Sequence, residues 1–508
     1  MLSLLAPRAT NADELYSRIR GTVIDATGAS VPDVVVTATN TATGVTKSFT
    51  TGPDGSFDML DLATGPYKVT AAKANFKTFT ATGIQLSVNQ PYVLTIKMEL
   101  GAVTQQVMVE ASALQVETTS MQLGYTLDGK TITDMPLNGR NWIQLQQLQP
   151  GVVAQSDRFG SNFATNGSQS QQNSYLINGT DSNDLPLNSP LVIPSPDAIS
   201  EFQLITNTIN PEYGRNSGGI LNAVIKSGTN HFHGDGFDFY RDTSMNARTF
   251  FQKTPTVFHQ NQFGGTIGGP VWKDHLFGFF SYQGTRARQP SPNATGTTTV
   301  FTAAQRAGNF GSFPQNPNTT SPTSTTRTSF IPLFGDASSP CPVSGGVRCP
   351  TGIPYHSFTD KLGGFHPGLF DTGVIPSQNF NPLSVNLINT FVPLPNLGAN
   401  GFTFQPTRTN SIDQYLYRVD HTFNQHDSIW FYSFIQTNPV SDPVPFTGAT
   451  VPGFPQVSKS HIKQYTAAWT HTFNGSTLNE LRFGYTRLNF DAVEPTSPVL
   501  PSSLGWNI

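Results

Sequence analysis

The chain has 508 residues and a mass of 55.0 kDa, too long for one ordinary domain, and three or four are expected. Only 12% of residues are charged, while Gly (45), Pro (38) and Phe (37) are abundant, which excludes a helical bundle, a coiled coil and a charge-rich disordered chain. With 29 basic against 32 acidic residues the net charge is −3, so no nucleic-acid partner is expected.

Residues 1–17 lack the apolar core of a secretory signal and are read as the remnant of a leader. No stretch of about 18 apolar residues exists to form a membrane helix. β-Barrel strands alternate and leave only a weak hydropathy trace, so a membrane stays open. Cys341 and Cys349 sit in the Pro- and Gly-rich loop SSPCPVSGGVRCP. They read as a disulfide closing a surface loop in an oxidising compartment, the alternative being two unrelated free thiols. Two thiols alone do not make a zinc site.

Residues 18–100 alternate short Val/Thr/Phe runs with turn signals such as TGPDGS and LATGPY, the pattern of a small antiparallel β-sandwich. Gly21, Val23, Asp25, Gly28, Val31, Pro32, Gly55, Phe57, Leu62, Gly65, Tyr67 and Val69 resemble the carboxypeptidase regulatory-like domain, a fold grouped with carbohydrate-binding modules. No metal-ligand set or nucleophile accompanies them, so the unit reads as structural or as a weak binding module. Residues 101–119 form a linker. Within it Gln106, Val107, Met108, Val109, Glu110 and Ala111 make a short alternating segment that can add as an edge strand to another protein's sheet, or stay within this chain.

Residues 120–228 are polar and rich in Asn, Gln and Gly. Leu137-Asn138-Gly139-Arg140-Asn141, Asn178-Gly179, the run 197–202 and Glu212-Tyr213-Gly214-Arg215 followed by Ser217-Gly218-Gly219 resemble the plug of TonB-dependent outer-membrane transporters of the Oar-like branch. Lys226-Ser227-Gly228-Thr229-Asn230 with Phe232-His233-Gly234 resembles the junction of plug and barrel. The resemblance implies that 106–111 is a TonB box, the segment to which the periplasmic energy-coupling protein TonB adds a strand. It also implies an outer-membrane lipid environment, a periplasmic N-terminal domain and a ligand that the sequence does not name.

Residues 229–508 supply the spacing argument. Seven strands are expected at 234–241, 261–272, 276–286, 414–424, 428–436, 462–473 and 478–490. Several match the 9–11 residues of a tilted membrane strand. Tyr465, Ala467, Trp469, His471 and Phe473 share one face, and Gln464, Thr466, Ala468, Thr470 and Thr472 the other. Tyr415, Tyr417, Val419, His421 and Phe423 oppose Gln414, Leu416, Arg418, Asp420 and Thr422, with Leu416 the exception. The strand at 428–436 is apolar on both faces. Tight turns alternate strictly with long connections, as in outer-membrane barrels, whereas a soluble sandwich needs no long loops on one side only. On this parity the cysteines lie in an outer loop. The His-Thr-Phe-Asn string of 421–424 recurs at 471–474 and reads as a hairpin signature. The segment 261–270, with 277–282, also resembles the first Oar-like barrel hairpin. Plugged barrels of the family have about 22 strands, so seven form an incomplete barrel.

Other motifs fall away. Gly264-Gly265-Thr266-Ile267-Gly268-Gly269 lacks the Lys and context of a phosphate loop. His231 with His233 is a weak metal pair, and Asp181 with Asp184 fails the EF-hand spacing and reads as an Asx-rich turn. No nucleophile elbow, zinc-protease motif or triad occurs, so neither an enzyme nor a cofactor is expected, and an accessory module of an enzyme has little support. The expected fold is mainly β: a sandwich, an α+β plug and the first strands of an antiparallel transmembrane barrel. The expected function is TonB-energised uptake or export of an unidentified ligand, with surface adhesion as the alternative.

Overall fold

The computed structural model describes residues 16–101, 106–110, 122–157, 160–209, 213–248, 257–291, 297–309, 358–359, 365–366, 377, 380–403, 406–444, 455–474, 477–493 and 501–504. Cys341 and Cys349 lie outside these residues.

The N-terminal unit is a two-sheet sandwich. β4 (Ser56–Leu62), β1 (Ser17–Asp25) and β7 (Tyr92–Met98) form one sheet, with β1 and β7 parallel. The other runs β3 (Thr46–Thr50), β2 (Val35–Asn40), β5 (Gly65–Ala72), β6 (Thr78–Leu86) and β8 (Gln106–Glu110). Alternate residues of the strands meet between the sheets. Ile19, Val23, Val36, Phe57, Val69, Phe79, Ile84 and Ile96 make a core separate from the rest of the protein.

A second five-stranded sheet follows: β13 (Thr180–Asp181), β12 (Ser174–Ile177), β15 (Ile220–Ile225), β14 (Ile199–Asn207) and β9 (Leu123–Asp128). All six residues of β15 are buried. The short helix α1 (Gly129–Asp134) and the hairpin of β10 (Val152–Asp157) with β11 (Gly160–Thr165) flank the sheet. The Asp128 carboxylate caps α1 by accepting the Thr131 N–H at 2.9 Å.

The third unit is a seven-stranded antiparallel meander: β16 (His233–Asp242), β17 (His259–Trp272), β18 (Leu276–Pro290), β23 (Thr407–Thr422), β24 (Asp427–Asp442), β25 (Gln456–Asn474) and β26 (Thr477–Val493). Between β18 and β23, β19 (Thr297–Thr299) pairs with β22 (Gly401–Thr403), and β20 (Phe358–Thr359) with β21 (Phe365–His366). The number and order of long strands agree with the expectation; their lengths do not. Most of the extra residues, such as 407–413, 437–442 and 456–461, extend the strands toward the long connections. There polar residues predominate on both faces, so alternation of apolar residues no longer marks the strand although its main-chain ladder continues.

The two faces of the meander differ. Tyr417, Phe431, Trp469 and Phe483 are exposed on the outer face. Phe280 meets Tyr417 at 5.0 Å and Tyr282 meets Tyr415 at 5.1 Å there, ring to ring across neighbouring strands. Gln464, Thr466, Ala468 and Thr470 are buried on the inner face. Leu416, the exception in the alternation, is 2% exposed and packs into the core of the second unit. β24 resolves the same way: Trp430, Tyr432 and Phe434 point inward into that core, while Ile429 and Phe431 face outward. The inner face meets protein at these points, so it is apolar there.

Candidate functional site

The candidate site is the seam where the middle unit seats against the strand wall, together with the N-terminal unit docked beneath it. Gly228 marks the crossing from one to the other. A Cβ there would lie 2.5 Å from the Gly278 carbonyl oxygen and 2.6 Å from that of Gly269, so only glycine lets the chain pass so close to β17 and β18. Ser227 Oγ donates to Asp420 Oδ2 at 2.6 Å beside it.

Asn138, Gly139 and Arg140 form a latch on the first barrel strands. Arg241 donates to Asn138 Oδ1 at 3.1 Å, and Gln262 Nε2 donates to the Gly139 carbonyl at 3.1 Å. The Arg140 guanidinium pairs with Asp197 and lies 4.0 Å from the ring centre of Phe237 and 4.4 Å from that of Phe239. Burial pulls the Arg140 pKa below its usual value, and Asp197 opposes that shift. Ser195 Oγ donates to the same carboxylate at 2.7 Å. Arg140→Ala leaves Asp197 largely buried without its cation. The change should cost roughly 2–3 kcal/mol and raise the susceptibility of residues 129–148 to limited proteolysis. Arg140→Lys, which keeps the charge and loses the planar stack, should fall between.

Asn178 and Gly179 stitch the middle sheet together and to the wall. Asn178 Oδ1 accepts the Ile225 N–H at 2.9 Å, the Gly179 N–H donates to Asn222 Oδ1 at 3.1 Å, and Arg482 donates to the Gly179 carbonyl at 3.0 Å. Arg215 reaches back to Asp181 at 2.5 Å and to Asn188 Oδ1 at 3.2 Å. Tyr213 is half-buried, and the position of a Cβ on Gly214 is open space. Asp181 Oδ1 accepts the Asn183 N–H at 2.9 Å, the expected Asx turn. Asp181 thus bonds through its side chain to Arg215, while its carbonyl accepts from Gln464 and Thr486 of the wall at 3.1 and 3.2 Å.

The histidines of the repeated His-Thr-Phe-Asn string brace the tight turns. His421 Nδ1 lies 3.1 Å from the His275 carbonyl oxygen, and His471 Nδ1 lies 2.7 Å from Asp427 Oδ1. His233 Nδ1 lies 3.1 Å from the His231 carbonyl oxygen. Among the described residues no three His, Cys, Asp or Glu side chains converge as metal ligands.

The sandwich docks at the tight-turn end. Asn230 donates its N–H to the Ala42 carbonyl at 2.9 Å and its amide to the Thr43 carbonyl at 2.7 Å. The same side chain accepts the Asp274 N–H at 2.9 Å. A second contact is Glu201, 5% exposed, whose Oε1 accepts the Val88 N–H at 2.9 Å. Burial pushes the Glu201 carboxyl up to about 7, against the pull of the Val88 N–H and the Ser87 and Thr64 hydroxyls. The sequence motif 197–202 contains this residue, but nothing in the motif marks its role at the joint. A lone Glu in the apolar run ISEFQLIT was the available signal.

The segment 106–110 lies on the sandwich as β8. It pairs in parallel with β6, from Thr78↔Gln106 to Thr82↔Glu110. Of the two roles open to it, this is pairing within the chain. Ala111 lies outside the described residues.

Residues 224–504 match the outer membrane beta barrel domain family, and residues 18–99 the carboxypeptidase regulatory-like domain family. The TonB-dependent transporter Oar of Myxococcus xanthus is 32% identical over 286 residues, 52% of this chain and 26% of that protein. Similar solved structures include the outer membrane transporter YddB of Escherichia coli (11% identity, 69% of this chain and 37% of that one, TM-score 0.38). A mutant ferric enterobactin receptor of Pseudomonas aeruginosa is another (9%, 73% and 45%, TM-score 0.35). The chain spans about a quarter of the length of Oar and under half of these structures. The match over more than half its residues, joined to a wall with one apolar outer face and one inner face filled by a second sheet, shows that the chain belongs to the outer membrane beta barrel domain family, is a homologue of the TonB-dependent transporter Oar, and is a protein of the outer membrane of a Gram-negative bacterium.

Proposed function

We propose that the chain belongs to a TonB-dependent receptor that moves a ligand across the outer membrane, with residues 120–228 as the plug and Gln106 to Ala111 as the segment TonB engages. The observation that carries this is the position of β8. It is the terminal strand of a sheet in the unit docked at the tight-turn end of the wall, the end that faces the periplasm in outer-membrane barrels. TonB would reach it there and add a strand through main-chain hydrogen bonds. Traction on this segment would pass to a plug latched by Arg140, Arg215 and Arg482 to itself and to the wall. The ligand would meet the long-connection end.

The test is binding of the purified periplasmic domain of TonB to this chain in detergent, followed by cysteine cross-linking from position 107. Saturable binding with cross-links confined to 106–111 is expected. Binding that survives deletion of 106–111 overturns the assignment. A product found soluble and secreted, without membrane association, would instead favour adhesion.

A further inference from the structure

The docked state of β8 raises the question of what the partner strand meets. The chain leaves β7 with the Lys77 N–H donating to the Glu99 carbonyl at 2.8 Å and the Gly101 N–H to the Asn75 carbonyl at 3.1 Å. Only residues 102–105 separate this clamp from Gln106. So short a tether holds the segment near β6 at an effective concentration on the order of millimolar. A free partner at micromolar concentration competes poorly against that.

It need not compete. Successive main-chain N–H and C=O groups of a strand point to opposite edges, so pairing with β6 uses one edge of β8. Among the described residues no strand pairs with the other edge. That edge is a template for one more strand.

We propose that the sandwich presents the coupling segment without releasing it: the partner's strand adds to the free edge of β8 and extends the five-stranded sheet to six. The occupant is an extended strand of the periplasmic energy-coupling protein. The proposal rests on the assignment of 106–111 given above. It adds that β6 bears part of the load.

The test is a reversible lock. In a chain carrying Cys341→Ser and Cys349→Ser, Thr80→Cys and Met108→Cys place two thiols at directly paired positions. Thr78→Cys with Gln106→Cys is a second pair one step along the strand face. Both should oxidise to an intrachain disulfide; failure of both to form overturns the docked state. The oxidised chains should bind the TonB periplasmic domain within about threefold of the reduced chains. A loss of about tenfold or more on oxidation, restored by reductant, overturns the proposal and shows that release comes first. If neither the oxidised nor the reduced form binds, the assignment of 106–111 itself fails, and this inference with it.

Discussion

Val107→Pro should weaken binding of the TonB periplasmic domain roughly ten- to a hundredfold and abolish energised transport, while ligand binding at the cell surface stays unchanged. Proline removes the N–H at position 107 and leaves a main-chain acceptor unpaired in whichever ladder that group serves, a loss of about 1–3 kcal/mol. Two ladders meet at β8, the one with β6 and the one we assign to the partner. Val107→Ala is the control. It keeps the N–H, so both ladders survive and binding should change by less than about threefold. The measurements are equilibrium binding to the TonB domain and, for cells, accumulation with and without a proton-motive force. Unchanged transport in the proline variant removes 106–111 from the mechanism.

The second large effect is at Glu201. Its carboxyl sits at the joint between the sandwich and the middle unit, with a folded pKa raised from 4.5 to about 7 by burial. The folded state therefore binds the proton more tightly than the unfolded one. The stabilisation this supplies is complete below about pH 4.5 and is lost as pH rises through 7. Each pH unit in that window is worth about 1.4 kcal/mol, so the whole swing is a few kcal/mol. Glu201→Gln keeps an oxygen to accept the Val88 N–H and removes the titration. The variant should show a flatter stability profile between pH 4.5 and 7 and a higher melting temperature than the parent at pH 8. Amide exchange at Val88 locates the effect: it should accelerate with rising pH in the parent beyond the intrinsic rate, and not in the variant. A parallel profile in both proteins assigns the pH dependence elsewhere. Asp128, the strand neighbour across from Glu201, pushes the carboxyl up further by like charge, more weakly than burial does, and is the next group to replace.

Much of this architecture is legible in the residues because two different solvents write on a barrel strand. Where the outer face meets lipid and the inner face meets polar groups of the middle unit, as along 464–473, the alternation is plain. It fades at 407–413 and 456–461, where water reaches both faces and nothing requires an apolar residue on either. It breaks at Leu416 and across Trp430, Tyr432 and Phe434, because the inner neighbour there is the apolar core of the middle unit. A one-dimensional pattern cannot report which neighbour a face will meet. The latch was half legible: Asn138-Gly139-Arg140 stands out as a string, but Asp197, Phe237 and Phe239 come from other elements. Pairing of β8 with β6 was not legible, since a main-chain ladder leaves no side-chain signature.

The sharing of one apolar core between Leu416, Trp430, Tyr432, Phe434 and the inner sheet has a consequence for how the proposed passage would open. Pulling the stopper out whole would wet three large aromatic rings at once. With about 150–250 Å² of surface each, that penalty is on the order of 10 kcal/mol before any hydrogen bond is counted. Under the proposed mechanism, a tug from below would therefore meet least resistance by peeling away a strip of the insert far from β24. The remainder would stay glued to the staves, and a ligand moved by the proposed transport would thread a crevice instead of an emptied pipe.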